Sequence, residues 1–359
     1  MKEKYDVALV VGTRPNFVKA APLLEYFEEN NLKVLFIHTG QHKDKKMSLN
    51  IFDDLNIRKP DITLETPTVN MNEQLSYMLE ALDDVFTKSE ISRVGVFGDV
   101  TSTLAASLVA KNKKIELFHV ESGLRSRNME MPEERNRILV DSISDYLFTP
   151  SDDAVDNLIT ENIDPVKIFS VGNIMIDTLK KNYENIKKGT NDIIQQLKID
   201  NDYFVTTIHR PSNLTNENLN NIFNALSEFS NKFSIILPAH PRLKKYIEEK
   251  RIKLQNISLI DPLSYIEFLS LVNGSSLVLT DSGGLQEETT FMNKNCLTLR
   301  NETERPITVE VGTNKVVGLN TENIISEINN SLTSKLLNEI KIKNWDGNTS
   351  ERIFNILYK

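Results

Sequence analysis

The sequence has little cysteine and no surplus of basic residues. Its 359 residues include one cysteine, Cys296, so no intramolecular disulfide can form and a cysteine-based metal cluster is not expected. Lysine and arginine number 42 against 50 aspartates and glutamates, which gives a formal net charge of −8. This acidic balance argues against a dedicated nucleic-acid-binding protein, although a few well-placed cations can still dominate the field in a cleft.

No targeting segment is expected from the sequence, and two common nucleotide-binding motifs are absent from it. Lys2, Glu3 and Lys4 precede one short apolar run, which predicts neither a signal peptide nor a membrane span and favours a cytoplasmic location. No GxGxxG follows the first predicted strand and no GxxxxGK[ST] is present, so a nicotinamide-dinucleotide fingerprint and a P-loop are both excluded. We therefore expect no nicotinamide cofactor.

What is present is a repeated alternation of short apolar runs with longer amphipathic stretches. The runs form two series, 7–11, 34–37, 94–97, 117–120, 146–148 and 168–171, then 204–208, 235–237, 257–260, 277–280 and 296–299. Continuous apolar runs indicate strands that are buried on both faces, as in a parallel sheet. The alternation predicts an α/β protein with two doubly wound, Rossmann-like domains, and the length agrees with two domains of about 150 residues each.

We place the first domain at residues 1–172 and the second at 173–350, with a linker near 172–180. Residues 351–359 have the pattern of a terminal helix that could pack on either domain, and we allow that it joins the first.

In open parallel sheets, ligands bind beyond the carboxyl ends of the strands, so the residues after each run are candidates. Gly12, Thr13, Arg14 and Pro15 follow the first run, and Lys19 comes one helical turn later. Pro15 suits the first turn of a helix, and Gly12 would permit an unusual backbone angle. A helix N-terminus flanked by these cations predicts an anion site, although an ordinary tight turn has the same pattern.

Acidic residues follow two other runs of the first series. Asp99 comes after 94–97, and Glu121 comes after 117–120. Glu133 opens a predicted helix and lies four residues before Arg137, which places both on one helix face. Such a pair is often a solvated ion pair, but its position after the Glu121 turn favours the cleft.

In the second series, His209 follows the run 204–208, and Ser282, Gly283 and Gly284 follow the run 277–280. The two glycines before a helix can offer N–H groups to a pyrophosphate, and Glu288 could accept both hydroxyls of a ribose. The same segment could also be a capping box that needs no ligand. All five histidines of the chain fall within or just after such runs, which is unlike a scattered surface distribution.

Read together, these segments resemble the non-hydrolysing UDP-N-acetylglucosamine 2-epimerases. The matching segments follow the family order over nearly the whole chain and are GTRPNFVKAAPL (12–23), HTGQH (38–42), GDVTSTLAASLVA (98–110), HVESGLRS (119–126), MPEERNR (131–137), VGNIMIDTL (171–179), IHRPSNLT (208–215), PAHP (238–241), PLSYIEFL (262–269), TDSGGLQEE (280–288) and ETERP (302–306). The resemblance implies a glycosyltransferase-B architecture with a cleft between the two domains. It also implies a homodimer that acts on a UDP-sugar. We expect no metal, because Asp99 has no paired acidic residue in the same motif, and no cofactor.

The activity that the resemblance implies is reversible inversion at C2 of a UDP-2-acetamido sugar, UDP-GlcNAc to UDP-ManNAc, which supplies a precursor for cell-surface polysaccharide. Family members eliminate UDP across C1–C2 to give a 2-acetamidoglucal and then add UDP back. This chemistry needs carboxylates for acid and base work and donors for the charge on the leaving pyrophosphate.

The resemblance assigns roles to thirteen residues of this sequence. It implies catalytic roles for Asp99, Glu121, Glu133 and His209. It implies binding of UDP or orientation of the sugar by Arg14, Lys19, Arg137, Phe268, Ser282, Gly283, Gly284, Glu288 and Arg305. Phe268 corresponds to an aromatic residue near the uracil.

The chain departs from the family pattern at a few positions. Asn16 stands where many members carry Glu, Val100 replaces a common Thr, and Pro211 with Ser212 replaces charged residues. These changes are compatible with a modified substrate, such as a 6-deoxy or a 2,3-diacetamido uronic sugar. Some members bind a second UDP-GlcNAc as an activator near the residues equivalent to Gln41 and His42. Here the nearby carboxylates, Asp44 and Glu73, are poorly suited to hold a diphosphate.

Three competing functions use a similar UDP site. A glycosyltransferase of the same architecture would need an acceptor site but not the acidic set. A hydrolysing epimerase would release free sugar and UDP, and a catalytically inactive UDP-sugar sensor could lose the carboxylates. Incubation with UDP-GlcNAc alone distinguishes them, because only a non-hydrolysing epimerase reaches an equilibrium of two UDP-sugars.

Overall fold

The computed structural model describes residues 2–41, 51–67, 69–254, 256–334 and 340–359. The chain forms two compact units, one comprising Met1–Lys181 with Lys343–Lys359 and the other comprising Asn182–Ile342. The sequence pattern predicted a boundary after residue 172, whereas the two units meet within one long helix. Within the described ranges, no helix is both long and apolar enough to cross a membrane.

The strands form two all-parallel sheets, as the continuous apolar runs predicted. In chain order they are β1 Glu3–Val11, β2 Val34–His38, β3 Ile62–Thr63, β4 Ser89–Phe97, β5 Glu116–Val120, β6 Tyr146–Thr149, β7 Ile168–Ser170, β8 Tyr203–Thr207, β9 Ser234–Pro238, β10 Ile257–Ile260, β11 Leu277–Thr280, β12 Cys296–Thr298 and β13 Asn314–Val316. The two short strands β3 and β13 lie at sheet edges and were not predicted, because each contains a single apolar residue and so makes no apolar run.

Helices follow most strands, which gives the expected doubly wound alternation. Their bounds are α1 Arg14–Glu29, α2 Met71–Lys88, α3 Thr101–Asn112, α4 Pro132–Ile143, α5 Asp152–Thr160, α6 Ile174–Gln196, α7 Asn216–Ser227, α8 Pro241–Lys250, α9 Tyr265–Gly274, α10 Gly283–Phe291, α11 Ile307–Glu310, α12 Thr321–Thr333 and α13 Thr349–Tyr358. Helix α6 begins in the first unit and ends in the second.

The first unit has a seven-stranded sheet in the order β3-β2-β1-β4-β5-β6-β7. The C-terminal parts of its central strands are buried, for example Val7–Val11 on β1. The C-terminal helix α13 belongs to this unit and packs on α1, where Phe354 meets Phe27 with ring centroids 6.2 Å apart. Because β1, β4 and β5 are neighbours, the loops after these strands lie side by side at one edge of the sheet.

The second unit has a six-stranded sheet in the order β10-β9-β8-β11-β12-β13. Its core is aliphatic and aromatic, with Phe204 and Leu279 fully buried. Strands β8 and β11 are hydrogen-bonded neighbours, paired at Thr207 and Thr280. The segments that begin at His209 and at Asp281 therefore leave the sheet next to each other.

Candidate active site

The turn between β1 and α1 is organised by the side chain of Asn16. Its Oδ1 accepts the backbone N–H groups of Gly12 and Thr13, each at 3.2 Å, and its Nδ2 donates to the Phe97 carbonyl at 3.1 Å. Gly12 does not use the backbone freedom that a glycine permits, since its φ is not positive. Glycine is required there by close packing, because a Cβ would stand 2.0 Å from Ser102 Oγ.

Lys19 and Glu121, which the sequence placed in separate motifs, form a buried ion pair through Nζ and Oε2. Glu121 has a φ of 71°, a left-handed conformation that is uncommon outside glycine. Gly98 has a φ of 62°, and a Cβ there would lie 2.9 Å from Lys19 Nζ and 3.0 Å from Glu121 Oε2. The ion pair is thus seated directly against the backbone of Gly98.

The residue that follows, Asp99, is held by two consecutive residues of α4. Arg137 Nη2 pairs with the Asp99 carboxylate, and Asn136 Nδ2 donates to the Asp99 carbonyl at 2.8 Å. Arg137 is buried and also donates to Glu134 at 2.8 Å. The guanidinium of Arg137 therefore turns toward Asp99 and Glu134, which agrees with a place in the site better than with the alternative of a solvated ion pair with Glu133.

Glu133 and Arg14 are both half-buried. Glu133 lies in the first turn of α4, and its carboxylate has no hydrogen-bond or ion-pair partner among the described residues. Arg14 is the first residue of α1, directly after the turn that Asn16 organises. The Glu133 carboxylate is therefore accessible to a ligand at this edge of the first sheet.

A fully buried polar network supports these loops from inside. His119 Nδ1 lies 2.6 Å from Asp141 Oδ1, and His119 Nε2 lies 2.8 Å from the Gly98 carbonyl oxygen. A carbonyl can only accept, so Nε2 carries a hydrogen and donates it. Burial alone would raise the pKa of Asp141, but His119 and Arg125 hold it below its ordinary value. This network makes His119 a fully buried core residue that supports the site from inside.

In the second unit, His209 is held by Asp281, the first residue after β11, to which the sequence assigned no role. His209 Nδ1 lies 2.7 Å from Asp281 Oδ1, and Asp281 also accepts the backbone N–H groups of His209 and Arg210. The carboxylate is completely buried, whereas the His209 side chain is 56% exposed. Burial would raise the pKa of Asp281, but His209 and these N–H groups hold it below its ordinary value.

Behind this pair lies a second buried carboxylate, Glu304, which sequence reasoning also missed. Arg300 donates to it twice, at 2.8 and 2.9 Å, and Arg210 donates at 3.1 Å. Despite its burial, these guanidinium groups and that of Arg305 hold the pKa of Glu304 well below its ordinary value. The cluster brings three arginines to the C-terminal side of the second sheet.

The turn after β11 opens helix α10 with Gly283 and Gly284 at its first two positions and Ser282 as the N-cap. A Cβ on Gly283 would stand 2.3 Å from Arg305 Nη1, so the guanidinium lies against the helix N-terminus. N–H groups at a helix start and an adjacent arginine favour binding of an anion such as a phosphate.

Two further predicted residues of the second unit lie on helices. Glu288, on α10, accepts a hydrogen bond of 2.9 Å from the buried Tyr265 hydroxyl. Phe268 lies on α9 and is half-buried. Tyr265 could have been suspected from the sequence only because it belongs to the same segment, 262–269, as Phe268.

The region of the suggested activator site is described only in part. His42 and Asp44 lie outside the described residues. Gln41 accepts hydrogen bonds from Ser102 N at 3.1 Å and Ser102 Oγ at 2.7 Å, and Gln74 donates to the Pro67 carbonyl at 3.3 Å.

Comparisons with known proteins identify the family and the fold that the chain shares. A family model described as UDP-N-acetylglucosamine 2-epimerase matches residues 25–358. The UDP-N-acetylglucosamine 2-epimerase of Methanocaldococcus jannaschii is 39% identical over 366 residues, which is 98% of each chain. The crystal structure of that enzyme in complex with UDP-GlcNAc and UDP has a TM-score of 0.90, with 99% of both chains covered at 39% identity. The UDP-2,3-diacetamido-2,3-dideoxy-D-glucuronate 2-epimerase of Pseudomonas aeruginosa is 37% identical over 358 residues, 98% of this chain and 99% of its own.

Proposed function

The chain belongs to the UDP-N-acetylglucosamine 2-epimerase family, and from this premise we propose that it interconverts UDP-GlcNAc and UDP-ManNAc. The observation that carries the proposal is the convergence of two carboxylates around Gly98, each paired with a buried cation. Glu121 is paired with Lys19, and Asp99 is paired with Arg137. This is the residue chemistry that proton transfer beside a sugar requires.

The reaction proceeds by elimination and re-addition. A carboxylate of the first unit takes the proton from C2, the electrons of that C–H bond form the C1–C2 double bond, and the C1–O electron pair leaves with UDP. Addition of UDP to the glucal, with a proton delivered to the other face of C2, completes the inversion. Asp99, Glu121 and Glu133 are the candidate acid and base groups, and Lys19 and Arg137 orient them.

The second unit supplies groups for the nucleotide. The N–H groups of Gly283 and Gly284, with the Ser282 cap and the Arg305 guanidinium, stabilise the diphosphate. His209 acts at the same diphosphate, with its ring orientation set by Asp281. Glu288 accepts the ribose hydroxyls and Phe268 lies by the uracil, while Arg14 of the first unit adds a further cation for the sugar nucleotide.

The test is to incubate the purified protein with UDP-GlcNAc in deuterium oxide and to follow the sugar signals by proton NMR. We expect a stable mixture of UDP-GlcNAc and UDP-ManNAc with deuterium at C2 of both. Release of free sugar with UDP would instead identify a hydrolysing enzyme, and no change with UDP-GlcNAc alone would contradict the proposal.

A second candidate substrate is a UDP-2,3-diacetamido uronic sugar. The Pseudomonas aeruginosa relative named for that substrate covers the chain as fully as the Methanocaldococcus jannaschii relative and is nearly as similar. The same NMR assay with both sugar nucleotides ranks them by kcat/KM, and a preference for the diacetamido sugar would replace UDP-GlcNAc as the substrate.

We further propose that the enzyme is a homodimer of the cytoplasm. The dimer follows from the family resemblance, and the single, buried Cys296 is compatible with a reducing compartment. Light scattering coupled to size-exclusion chromatography tests the assembly, since a dimer has twice the 40.9 kDa mass of the chain. A monomeric mass at the concentration of the activity assay would contradict the dimer.

A further inference from the structure

Three successive backbone carbonyl groups, those of Phe97, Gly98 and Asp99, are each held by a side chain from a different element. The donors are Asn16 Nδ2 on α1 at 3.1 Å, His119 Nε2 on β5 at 2.8 Å and Asn136 Nδ2 on α4 at 2.8 Å. A loop that leaves a strand normally directs such groups to solvent. Here each carbonyl accepts from a buried side chain, so the loop is fixed along its whole length.

The hydrogen bond from Asn136 differs from the other two because its helix, α4, also carries Arg137 and Glu133. Its neighbour Arg137 pairs with the Asp99 carboxylate, so consecutive residues of one helix hold both the main chain and the side chain of Asp99. Glu133 precedes Asn136 by three residues on the same helix. Residues three apart lie on one face of a helix and move together with it.

We infer that Asn136 is a positioning residue that sets the distance between the carboxylates of Asp99 and Glu133. The inference rests on the proposed function, in which both carboxylates serve the same reaction. Arg137 alone cannot set this distance, because a side-chain ion pair tolerates rotation of the Asp99 side chain. The hydrogen bond from Asn136 joins the Asp99 backbone itself to the helix that carries Glu133.

The consequence appears in the second half of the reaction. After elimination, the glucal and UDP wait in the site until a proton reaches C2 and UDP adds to C1. A misplaced carboxylate delays that proton, so the intermediate has longer to dissociate. A displacement of about 1 Å at a reacting group can cost about 10²-fold in rate. Loss of the Asn136 bond should therefore lower kcat and raise the fraction of turnovers that release 2-acetamidoglucal and UDP.

The experiment compares three substitutions of Asn136 in the full-length protein. Asn136→Ala removes the donor, Asn136→Asp keeps the shape but replaces the donor with an acceptor, and Asn136→Gln keeps an amide donor. The matched control is Asn295→Ala, which removes a half-buried side-chain amide in the second unit that likewise donates to a backbone carbonyl, that of Ser331, at 3.1 Å. The fluorescence of Trp345, the single tryptophan, reports the folded state of the first unit.

The readouts are kcat, KM for UDP-GlcNAc, and the ratio of released glucal to epimerised sugar. For the Ala and Asp variants we expect kcat to fall by about 10²-fold, KM to stay nearly unchanged and the ratio to rise. Asn136→Gln should return the ratio toward the wild-type value, and Asn295→Ala should leave it unchanged. A partial loss of folded protein lowers both products equally, so it cannot change the ratio.

An unchanged ratio in both the Ala and Asp variants of an active enzyme would overturn the inference, and so would failure of all three Asn136 variants to fold. If the wild-type protein does not interconvert the two UDP-sugars, the proposed function fails and the inference fails with it. An active wild-type enzyme with an unchanged ratio contradicts only the inference.

Discussion

Replacing Asp281 by asparagine should keep the His209 side chain in place but change which of its ring nitrogens carries the hydrogen. Asp281 accepts the backbone N–H groups of His209 and Arg210, at 3.0 and 2.9 Å, chiefly through Oδ2, and faces His209 Nδ1 through Oδ1 at 2.7 Å. In the variant, the remaining amide oxygen can keep the backbone bonds, which places the NH₂ group opposite Nδ1. Because NH₂ only donates, Nδ1 must then accept and the ring hydrogen must move to Nε2.

The size of the effect follows from which bonds are lost. Asp281→Asn loses one charge-assisted hydrogen bond, so the free energy of unfolding should fall by about 1.5–3 kcal/mol. Asp281→Ala leaves several buried donors without a partner and should cost about 3–5 kcal/mol. For activity, a changed His209 tautomer can remove at most the contribution of an acid–base group, about 10²–10⁴-fold in kcat.

Two measurements test this reasoning. Urea unfolding followed by circular dichroism gives the change in stability, and NMR of ¹⁵N-labelled histidine gives the tautomer, with a His209→Gln variant to assign one of the five histidine signals. We expect Asp281→Asn to remain folded, to show hydrogen on Nε2 and to lose kcat with little change in KM. A near-wild-type kcat, or an unchanged tautomer together with a large loss of activity, would refute the argument.

Three other predictions concern the carboxylates and the metal requirement. Asp99→Asn, Glu121→Gln and Glu133→Gln should each stay folded and lose about 10²–10⁴-fold in kcat; near-wild-type rates in two of the three would show that the acid–base assignment is wrong. Glu304→Gln should lower the free energy of unfolding at neutral pH by about 3–5 kcal/mol. Folding lowers the pKa of Glu304, so the ionised carboxylate stabilises the folded state above the unfolded pKa of about 4.3, and this stabilisation is lost as the pH falls. The free energy of unfolding of the wild-type protein should therefore fall more steeply in acid than that of the variant. Equal pH dependence of the two free energies would count against this prediction. Finally, dialysis against EDTA should leave activity intact; loss that a divalent ion restores would contradict the expectation.

Much of the fold could be predicted from the sequence because parallel strands are buried on both faces and so appear as continuous apolar runs. All eleven predicted runs correspond to strands, whereas the edge strands β3 and β13 each contain a single apolar residue and so give no signal. The division of α6 between the two units was not visible either, since one amphipathic helix shows no break in its pattern where its packing partner changes.

Individual residues of the candidate site could be predicted from the sequence, but the hydrogen bonds and ion pairs between them could not. Polar residues after strand ends pointed to Asp99, Glu121 and His209, since the carboxyl ends of parallel strands share one edge of the sheet. The carboxylates that hold other side chains, Asp281 and Glu304, were missed because nothing local distinguishes a supporting carboxylate from one that meets a ligand.

The sequence by itself determined the strand–helix alternation, the residues at the strand ends and the family. Only the tertiary structure decided which side chains meet. Lys19 reaches Glu121 across 102 positions of the chain because crossover connections place β4 between β1 and β5, and Gly98 then leaves room for the pair. Which side chains pair in the site depends on the strand order and on backbone angles such as the positive φ of Glu121. Both are set by packing between segments that are distant in sequence.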